Sequence, residues 1–132
     1  AIAREAGSRT KIAVFSNDPN VDPKGACVGS RGSRVRQIVN ELKGEKLDVV
    51  EWREDKVRFI IEALGPADID EVIIDEHTQS AKVIVKDSQL SLAIGKEGQN
   101  ARLAAKLTGY KIDIEGLGDS PPEEEEPKQE EE

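Results

Sequence analysis

The sequence is poor in the residues that disulfides, metal sites and many active centres need. Its 132 residues include one cysteine and one histidine, which excludes an intrachain disulfide and a multi-cysteine metal site. This cysteine content suits a reducing compartment. No apolar run approaches the roughly 18 residues of a membrane span, and no secretory pattern opens the chain. We expect a cytoplasmic protein that contacts no membrane and holds no metal or other cofactor.

Aromatic residues are also scarce. The chain has one tryptophan, one tyrosine and two phenylalanines, too few for the stacking platforms of many RNA-binding sheets. Two of them, Trp52 and Phe59, lie where two modules would meet, and we expect them to pack there. Nucleic-acid recognition by this chain would therefore depend on apolar walls and backbone hydrogen bonds.

The motifs of common nucleotide-dependent enzymes are missing. Neither Gly-x-x-x-x-Gly-Lys-Ser/Thr nor Gly-x-Gly-x-x-Gly occurs. Asp18, Asn20 and Asp22 imitate the start of a calcium loop, but Pro23 and Gly29 stand where such a loop needs glycine and glutamate. We predict neither catalysis nor metal binding.

Negative charge is concentrated at one end of the chain. The net charge is −8, and residues 119–132 hold eight acids and one lysine, which leaves about −1 for the rest. Residues 117–132 are predicted to be a disordered acidic tail, because they have too little apolar surface to offset the entropy of ordering. The near-neutral remainder can still carry basic patches that attract a polyanion. The tail either stays solvated or competes for those patches.

What the sequence does contain is an internal repeat around paired glycines. VGSRGSR at 28–34 and IGKEGQN at 94–100 each place two glycines three residues apart. An offset of 66 superimposes Val28, Gly29, Gly32 and Arg36 on Ile94, Gly95, Gly98 and Arg102. An offset of 65 then superimposes LKGEKLDV at 42–49 on LTGYKIDI at 107–114. The repeat predicts two small domains, over residues 1–52 and 53–116.

Both copies have the same order of predicted elements. In the first, IAREAG is the stub of a strand, TKIAVFS and KLDVVEW are strands, and PKGACV and SRVRQIVNEL are helices. In the second, a helix capped by Asp55 precedes the strands DEVIID and AKVIVK, the helices SQLSLAI and QNARLAAKLTG, and the strand YKIDIE. Asp22 is the predicted cap of the first copy's short helix. The leading helix is visible only in the second copy, and we expect the chain to be a fragment of a longer protein.

The glycine pairs suit close approach by a phosphate. Glycine removes the side chain and permits left-handed backbone, and a helix start offers unpaired N–H groups and partial positive charge. The cations near the two loops are Lys24, Arg31, Arg34 and Arg36, and then Lys96, Arg102, Lys106 and Lys111. Arg36 and Lys106 are interpreted as solvated helix-face charges.

These residues resemble the KH module, whose Gly-x-x-Gly loop clamps four nucleotides of RNA. The order helix-strand-strand-helix-helix-strand resembles the type II module, and residues 2–116 resemble the tandem KH region of the NusA family of bacterial transcription factors. The resemblance implies an α+β fold of two tandem type II KH domains, each a three-stranded sheet packed on helices. It implies that the full-length protein binds the nascent transcript and acts with RNA polymerase and other factors in pausing, elongation, termination and antitermination. The family's polymerase-binding N-terminal domain and S1 domain have no counterpart in these residues.

The resemblance also implies where single-stranded RNA lies. The backbone would cross each loop, with bases in an apolar groove between the following helix and the sheet. The implied contacts are Gly29, Ser30, Arg31, Gly32 and Arg34, and Gly95, Lys96, Glu97, Gly98, Gln99, Asn100 and Arg102. The short connection from Trp52 to Asp55 predicts rigidly packed modules in a monomer. A protein-interaction adaptor that uses KH folds as a scaffold is the alternative.

Overall fold

The computed structural model describes residues 1–117, so the predicted acidic tail lies almost entirely outside the described residues. We call residues 1–52 the first module; it contains β1 (Ile2–Glu5), β2 (Arg9–Val14), α1 (Pro23–Val28), α2 (Ser33–Glu41) and β3 (Lys46–Glu51). The second module, from residue 53, contains α3 (Lys56–Ala63), β4 (Glu71–Asp75), β5 (Ser80–Val85), α4 (Asp87–Ile94), α5 (Gln99–Thr108) and β6 (Lys111–Gly116).

Both modules have the same sheet topology. In each, the middle strand pairs antiparallel with the strand before it and parallel with the last strand. The second module shows the full order helix-strand-strand-helix-helix-strand, and the first shows the same order without the leading helix. The prediction of an α+β fold with two KH-like units is confirmed, as is the strand predicted over IAREAG.

The helix boundaries follow from local chemistry. Helix α3 begins after Asp55, whose Oδ1 accepts a hydrogen bond from Val57 N at 3.1 Å. Helix α1 begins at Pro23, where proline's fixed φ suits the first turn. Asp22 holds the predicted cap position there, but its side chain makes no capping hydrogen bond. Helix α5 ends at Gly109, which takes the left-handed conformation with φ +78°.

One hydrophobic core runs through both modules. Ile60, Leu64 and Leu103 of the second module belong to the same buried cluster as Ala3 and Val50 of the first. Helix α5 lies against β1 and β2 of the first module as well as α3, α4 and β6 of its own. By contrast, none of the nine residues of α2 is fully buried. The reason is that α3 covers α5, whereas no helix described here covers α2 in the same way.

Aromatic side chains close the module junction, as predicted. The ring of Trp52 lies 5.4 Å from that of Phe15 and 6.3 Å from that of Phe59, centroid to centroid. Phe59 is buried, and Trp52 packs against the core cluster. Across residues 1–117, the helices are all too short or too polar to cross a lipid bilayer.

Candidate nucleic-acid interface

The two Gly-x-x-Gly loops have nearly the same backbone conformation. The first glycine has φ +82° and ψ 175° at Gly29, and φ +81° and ψ 169° at Gly95. Each loop contains three left-handed residues: Gly29, Arg31 and Gly32 in the first, and Gly95, Glu97 and Gly98 in the second. The repeat detected in the sequence is therefore also a repeat in backbone geometry.

Neither first glycine can be replaced without a clash. A Cβ on Gly29 would lie 2.9 Å from the backbone nitrogen of Arg34, and a Cβ on Gly95 would lie 2.7 Å from that of Asn100. The loop thus passes directly over the first turn of the following helix. Neither α2 nor α5 has a side-chain N-cap. Among the side chains that the structure describes, none at these cap positions accepts a hydrogen bond from the first turn, an arrangement that favours an anion.

Each loop presents one cation to solvent. Arg31 and Lys96 are exposed, and neither forms an ion pair with any residue in 1–117. Arg34 is also exposed, and its Nη1 donates to the carbonyl of Ala26 at 3.1 Å, which lays the side chain along α1. Glu97 is exposed beside Lys96 and adds the one acid of the second loop.

A groove of about 450 Å³ adjoins the first loop. It lies between α1, α2 and β3, and Glu62, Gly65 and Pro66 of the second module also line it. Its lining includes the apolar Val28, Val35, Leu47, Val49 and Val50, with Lys24 and Arg36 among the polar residues. The volume falls within the range of small-ligand sites, about 300–1,000 Å³, so the groove has room for a base.

The second loop lies between two cavities. One, of about 380 Å³, is lined by Leu90, Ser91, Ile94, Gly95 and Lys96, so it lies along α4 and the loop and not between α5 and the sheet, where the resemblance implied a groove. The other, of about 540 Å³, lies between the modules. Its lining includes Ser8, Arg9, Lys46, Lys96 and Gln99. Its cations therefore come from both modules, a feature that neither repeat carries alone.

The side chains that follow the second loop are already engaged. Asn100 is buried, and its Nδ2 donates to the carbonyls of Leu64 and Ala93, both at 2.9 Å. It points to the interior, although the resemblance implied a contact with RNA. Gln99 Nε2 donates to Ser8 Oγ at 2.7 Å and to a carboxylate oxygen of Glu5 at 3.1 Å, so this side chain reaches the first module.

Arg36 and Arg102 lie in the helices that follow the two loops, and each donates a hydrogen bond to a carbonyl of its own loop. Arg102 Nη1 donates to the carbonyl of Glu97 at 2.9 Å, and Arg36 Nη1 donates to the carbonyl of Arg31. Arg36 is exposed, in agreement with its interpretation as a solvated helix-face charge, and its guanidinium also donates to the loop. The 66-residue offset, which superimposes Arg36 on Arg102, was the sequence signal for this shared role.

Comparison with known families follows the same division of the chain. A family model described as the NusA-like first KH domain matches residues 1–52, and one described as the NusA-like second KH domain matches residues 56–121. The chain belongs to the NusA-like KH-domain family.

Several curated relatives carry the name transcription termination/antitermination protein NusA. The Bacillus subtilis protein is 59% identical over 91% of this chain, and the chain covers 32% of its length. The Mycobacterium bovis protein is 56% identical over 92% of the chain, with 35% of its length covered. The Rickettsia prowazekii protein is 49% identical over 86% of the chain, with 23% covered. The chain thus spans about a third or less of these relatives.

Among solved structures, the crystal structure of APE1850 has a similar fold. The TM-score is 0.60 at 23% sequence identity, and the match covers 86% of this chain and 83% of that one. At this identity the likeness concerns the fold alone, and it extends over both modules of this NusA-like chain.

Proposed function

We propose that this chain binds single-stranded RNA through both Gly-x-x-Gly loops. The whole protein would bind the nascent transcript through these loops and act with RNA polymerase in termination and antitermination. The observation that carries the proposal is a repeated one. Twice, an uncapped helix start follows a Gly-x-x-Gly turn that adjoins an apolar cavity and carries an exposed cation with no ion pair in residues 1–117. The names of the NusA-like relatives, which are termination/antitermination proteins, point to the same class of function.

The roles of the predicted residues follow from their surroundings. Sugar and phosphate would lie against the backbone of 29–32, including Ser30, and of 95–98, including Glu97. Arg31 and Lys96 would contact phosphates, and Arg34 would reach a sugar or a base edge from the first turn of α2. Gln99, Asn100 and Arg102 would support the second loop, since their side chains already have protein partners.

The remaining assignments are also proposals. The module boundary would fall between residues 52 and 53, and the packed junction at Trp52 would hold the two RNA sites at a fixed separation. The chain would act as a monomer in the cytoplasm, without catalytic activity. The support is that the curated relatives are named transcription termination/antitermination proteins and that the chain contains two KH-like units, each with a Gly-x-x-Gly loop.

Salt dependence tests RNA binding against an adaptor role. Fluorescence anisotropy with short labelled single-stranded RNAs should give an affinity that falls as salt rises. The expected slope of log affinity on log salt is about −0.7 for each phosphate contacted. An affinity that does not change with salt concentration, or no measurable affinity at low salt, would contradict the proposal and favour the adaptor alternative.

Charge reversal in each loop locates the sites. Arg31→Asp and Lys96→Asp should each weaken binding about tenfold, because a charge-assisted hydrogen bond of roughly 1.5 kcal/mol is lost. The matched control is Lys43→Asp, which makes the same charge change at an exposed residue that is also left-handed, at φ +57°. Equal losses in Lys43→Asp and Arg31→Asp would mean that general charge, not the loop, governs binding.

A further inference from the structure

In each module, an arginine of the helix after the loop bonds to the loop residue whose backbone conformation is the least favourable. Arg31 and Glu97 are left-handed at φ +52° and +55°, a conformation that costs a non-glycine residue roughly 1–2 kcal/mol. The arginine five positions later donates to the carbonyl of that residue in both modules. This hydrogen bond spans the turn and holds the loop in the conformation that RNA would meet.

The two arginines differ in what holds them. Arg102 is clamped by Glu5 of the first module: its Nη2 donates to Glu5 Oε1 at 2.9 Å, and its Nε donates to Glu5 Oε2. Two parallel hydrogen bonds fix the plane of a guanidinium as well as its position. Arg36 forms no ion pair with any residue in 1–117. The second loop is therefore tied to the other module, and the first loop is not.

Glu5 also holds the residue that opens helix α5. Its Oε1 accepts a hydrogen bond from Gln99 Nε2 at 3.1 Å, in addition to the bonds from Arg102. The hydrogen bonds from Arg102 and Gln99 hold the pKa of Glu5 at about 2. Glu5 therefore stays a carboxylate below its ordinary pKa of 4.5 as well as at neutral pH, and only 21% of its side chain is exposed.

We propose that Glu5 is a positioning residue for the second RNA site, through which the first module sets the conformation of the loop at 95–98. The path runs from the Glu5 carboxylate to the Arg102 guanidinium and from there to the Glu97 carbonyl. This inference rests on the proposed RNA-binding function. It adds that the second loop is fully formed only when the first module is in place.

Whether the loss of Glu5 weakens or strengthens RNA binding distinguishes a positioning role from a purely electrostatic one. Glu5 is an acid near a loop that would bind a polyanion, so its removal should strengthen RNA binding if only charge matters. If Glu5 positions Arg102, its removal should weaken binding at the second site despite the more favourable charge. Glu5→Gln keeps the shape of the side chain and therefore sets these two expectations against each other.

The experiment measures RNA affinity and backbone amides in the whole chain. Arg31→Asp is introduced first, so that binding of a short single-stranded RNA at low salt reports the second loop. In that background, Glu5→Gln should lower the affinity about fivefold. In the free protein it should shift the amide signals of Glu97 and Gly98 and leave those of 29–32 unmoved. The matched control is Glu41→Gln, the same change at an exposed acid of the first module.

Two further variants keep the test decisive. Arg102→Gln breaks the same path from the second module, and the double variant Glu5→Gln/Arg102→Gln should bind no more weakly than Arg102→Gln alone, because both changes act on one link. Additive losses would contradict the proposal. So would an affinity for Glu5→Gln equal to or above that of its background with the amides of 95–98 unmoved. If no variant and no parent binds RNA, the proposed function fails, and the amide shifts still report whether Glu5 positions the loop.

Discussion

Lys11 of the first module donates a hydrogen bond to the carbonyl of Gly65 in the second, at a distance of 3.2 Å. The same ammonium donates to Asp48 at 3.0 Å, and its side chain is fully buried. Burial lowers the pKa of Lys11, and Asp48 opposes that shift. This buried ammonium connects β2 and β3 of the first module to the end of α3 in the second. It therefore contributes to the packing of the two modules against each other.

Replacement of this ammonium should destabilise the fold. Lys11→Met keeps most of the apolar stem but leaves the Gly65 carbonyl without its donor, and we expect a loss of about 1–3 kcal/mol in the free energy of unfolding. Urea unfolding followed by circular dichroism measures it. Lys46→Met, at an exposed position in β3, is the control and should change stability by about 0.5 kcal/mol or less. Equal stability of the two variants would show that the buried bond contributes nothing.

The first glycine of the second loop should tolerate no side chain. Gly95→Ala puts a Cβ 2.7 Å from the backbone of Asn100 in a conformation open almost only to glycine, and we expect a loss of about 3 kcal/mol or more. Gly109→Ala has a similar φ, +78°, but nothing lies within 4 Å of the added atom. It should cost only about 1–2 kcal/mol. Thermal unfolding of both variants compares them, and similar losses would mean that the close approach is relieved by local movement.

Asn100 should matter for stability more than for direct contact with RNA. Its Nδ2 joins the end of α3 to the end of α4 through the carbonyls of Leu64 and Ala93. Asn100→Ala removes this donor from both carbonyls. Because Ala67 N still donates to the Leu64 carbonyl, we expect a total loss of about 1–3 kcal/mol. Chemical unfolding should show the loss, whereas Asn40→Ala, the same change at an exposed residue of α2, should unfold nearly as the parent does. A parent-like stability for Asn100→Ala would return this side chain to the list of candidate RNA contacts.

Stability should fall in acid, and Glu45 should account for part of the fall. Its buried carboxylate accepts hydrogen bonds from Arg4, Thr10 and the backbone of Gly7, and the bonds from Arg4 contribute most to a pKa of about 2. Between its ordinary pKa of 4.5 and about 2, the folded state binds fewer protons than the unfolded state, so this stabilisation is complete above 4.5 and is lost as the pH falls to 2. Glu5 acts in the same direction.

The measurement is unfolding at several pH values between 5 and about 2. Glu45→Gln should lose less stability than the parent over this interval, because the neutral side chain takes up no proton. Parallel curves for the two proteins would assign the acid sensitivity to other carboxylates. Glu76→Gln, in the exposed turn between β4 and β5, is the control and should follow the parent.

Much of the fold was accessible from the sequence because its signals are local. The apolar spacing in 33–42 predicted α2, and the alternation in 10–16 predicted β2, each within one or two residues of the observed element. The paired glycines at 29–32 predicted the turn whose left-handed conformations the structure contains. Each local pattern was also stronger evidence because it occurred in both copies of the repeat.

The candidate site was predicted less completely, for a physical reason. The positions of the loops follow from glycine, but the partners of Asn100, Gln99 and Arg102 come from residues as far as 97 positions away. A polar residue in the first turn of a helix has the same local appearance whether it faces solvent or another module. Sequence spacing therefore placed these side chains near the loop without deciding which way they point.

The sequence by itself determined the two loops, because a glycine pair permits a positive-φ turn whatever surrounds it, and the apolar spacing that follows places the start of the helix. Only the tertiary structure decided that Glu5 clamps Arg102, that Glu45 is buried and that Lys11 joins the two modules. Such pairs depend on how the two sheets and five α-helices within residues 1–117 pack. Packing brings together charges that no local pattern connects.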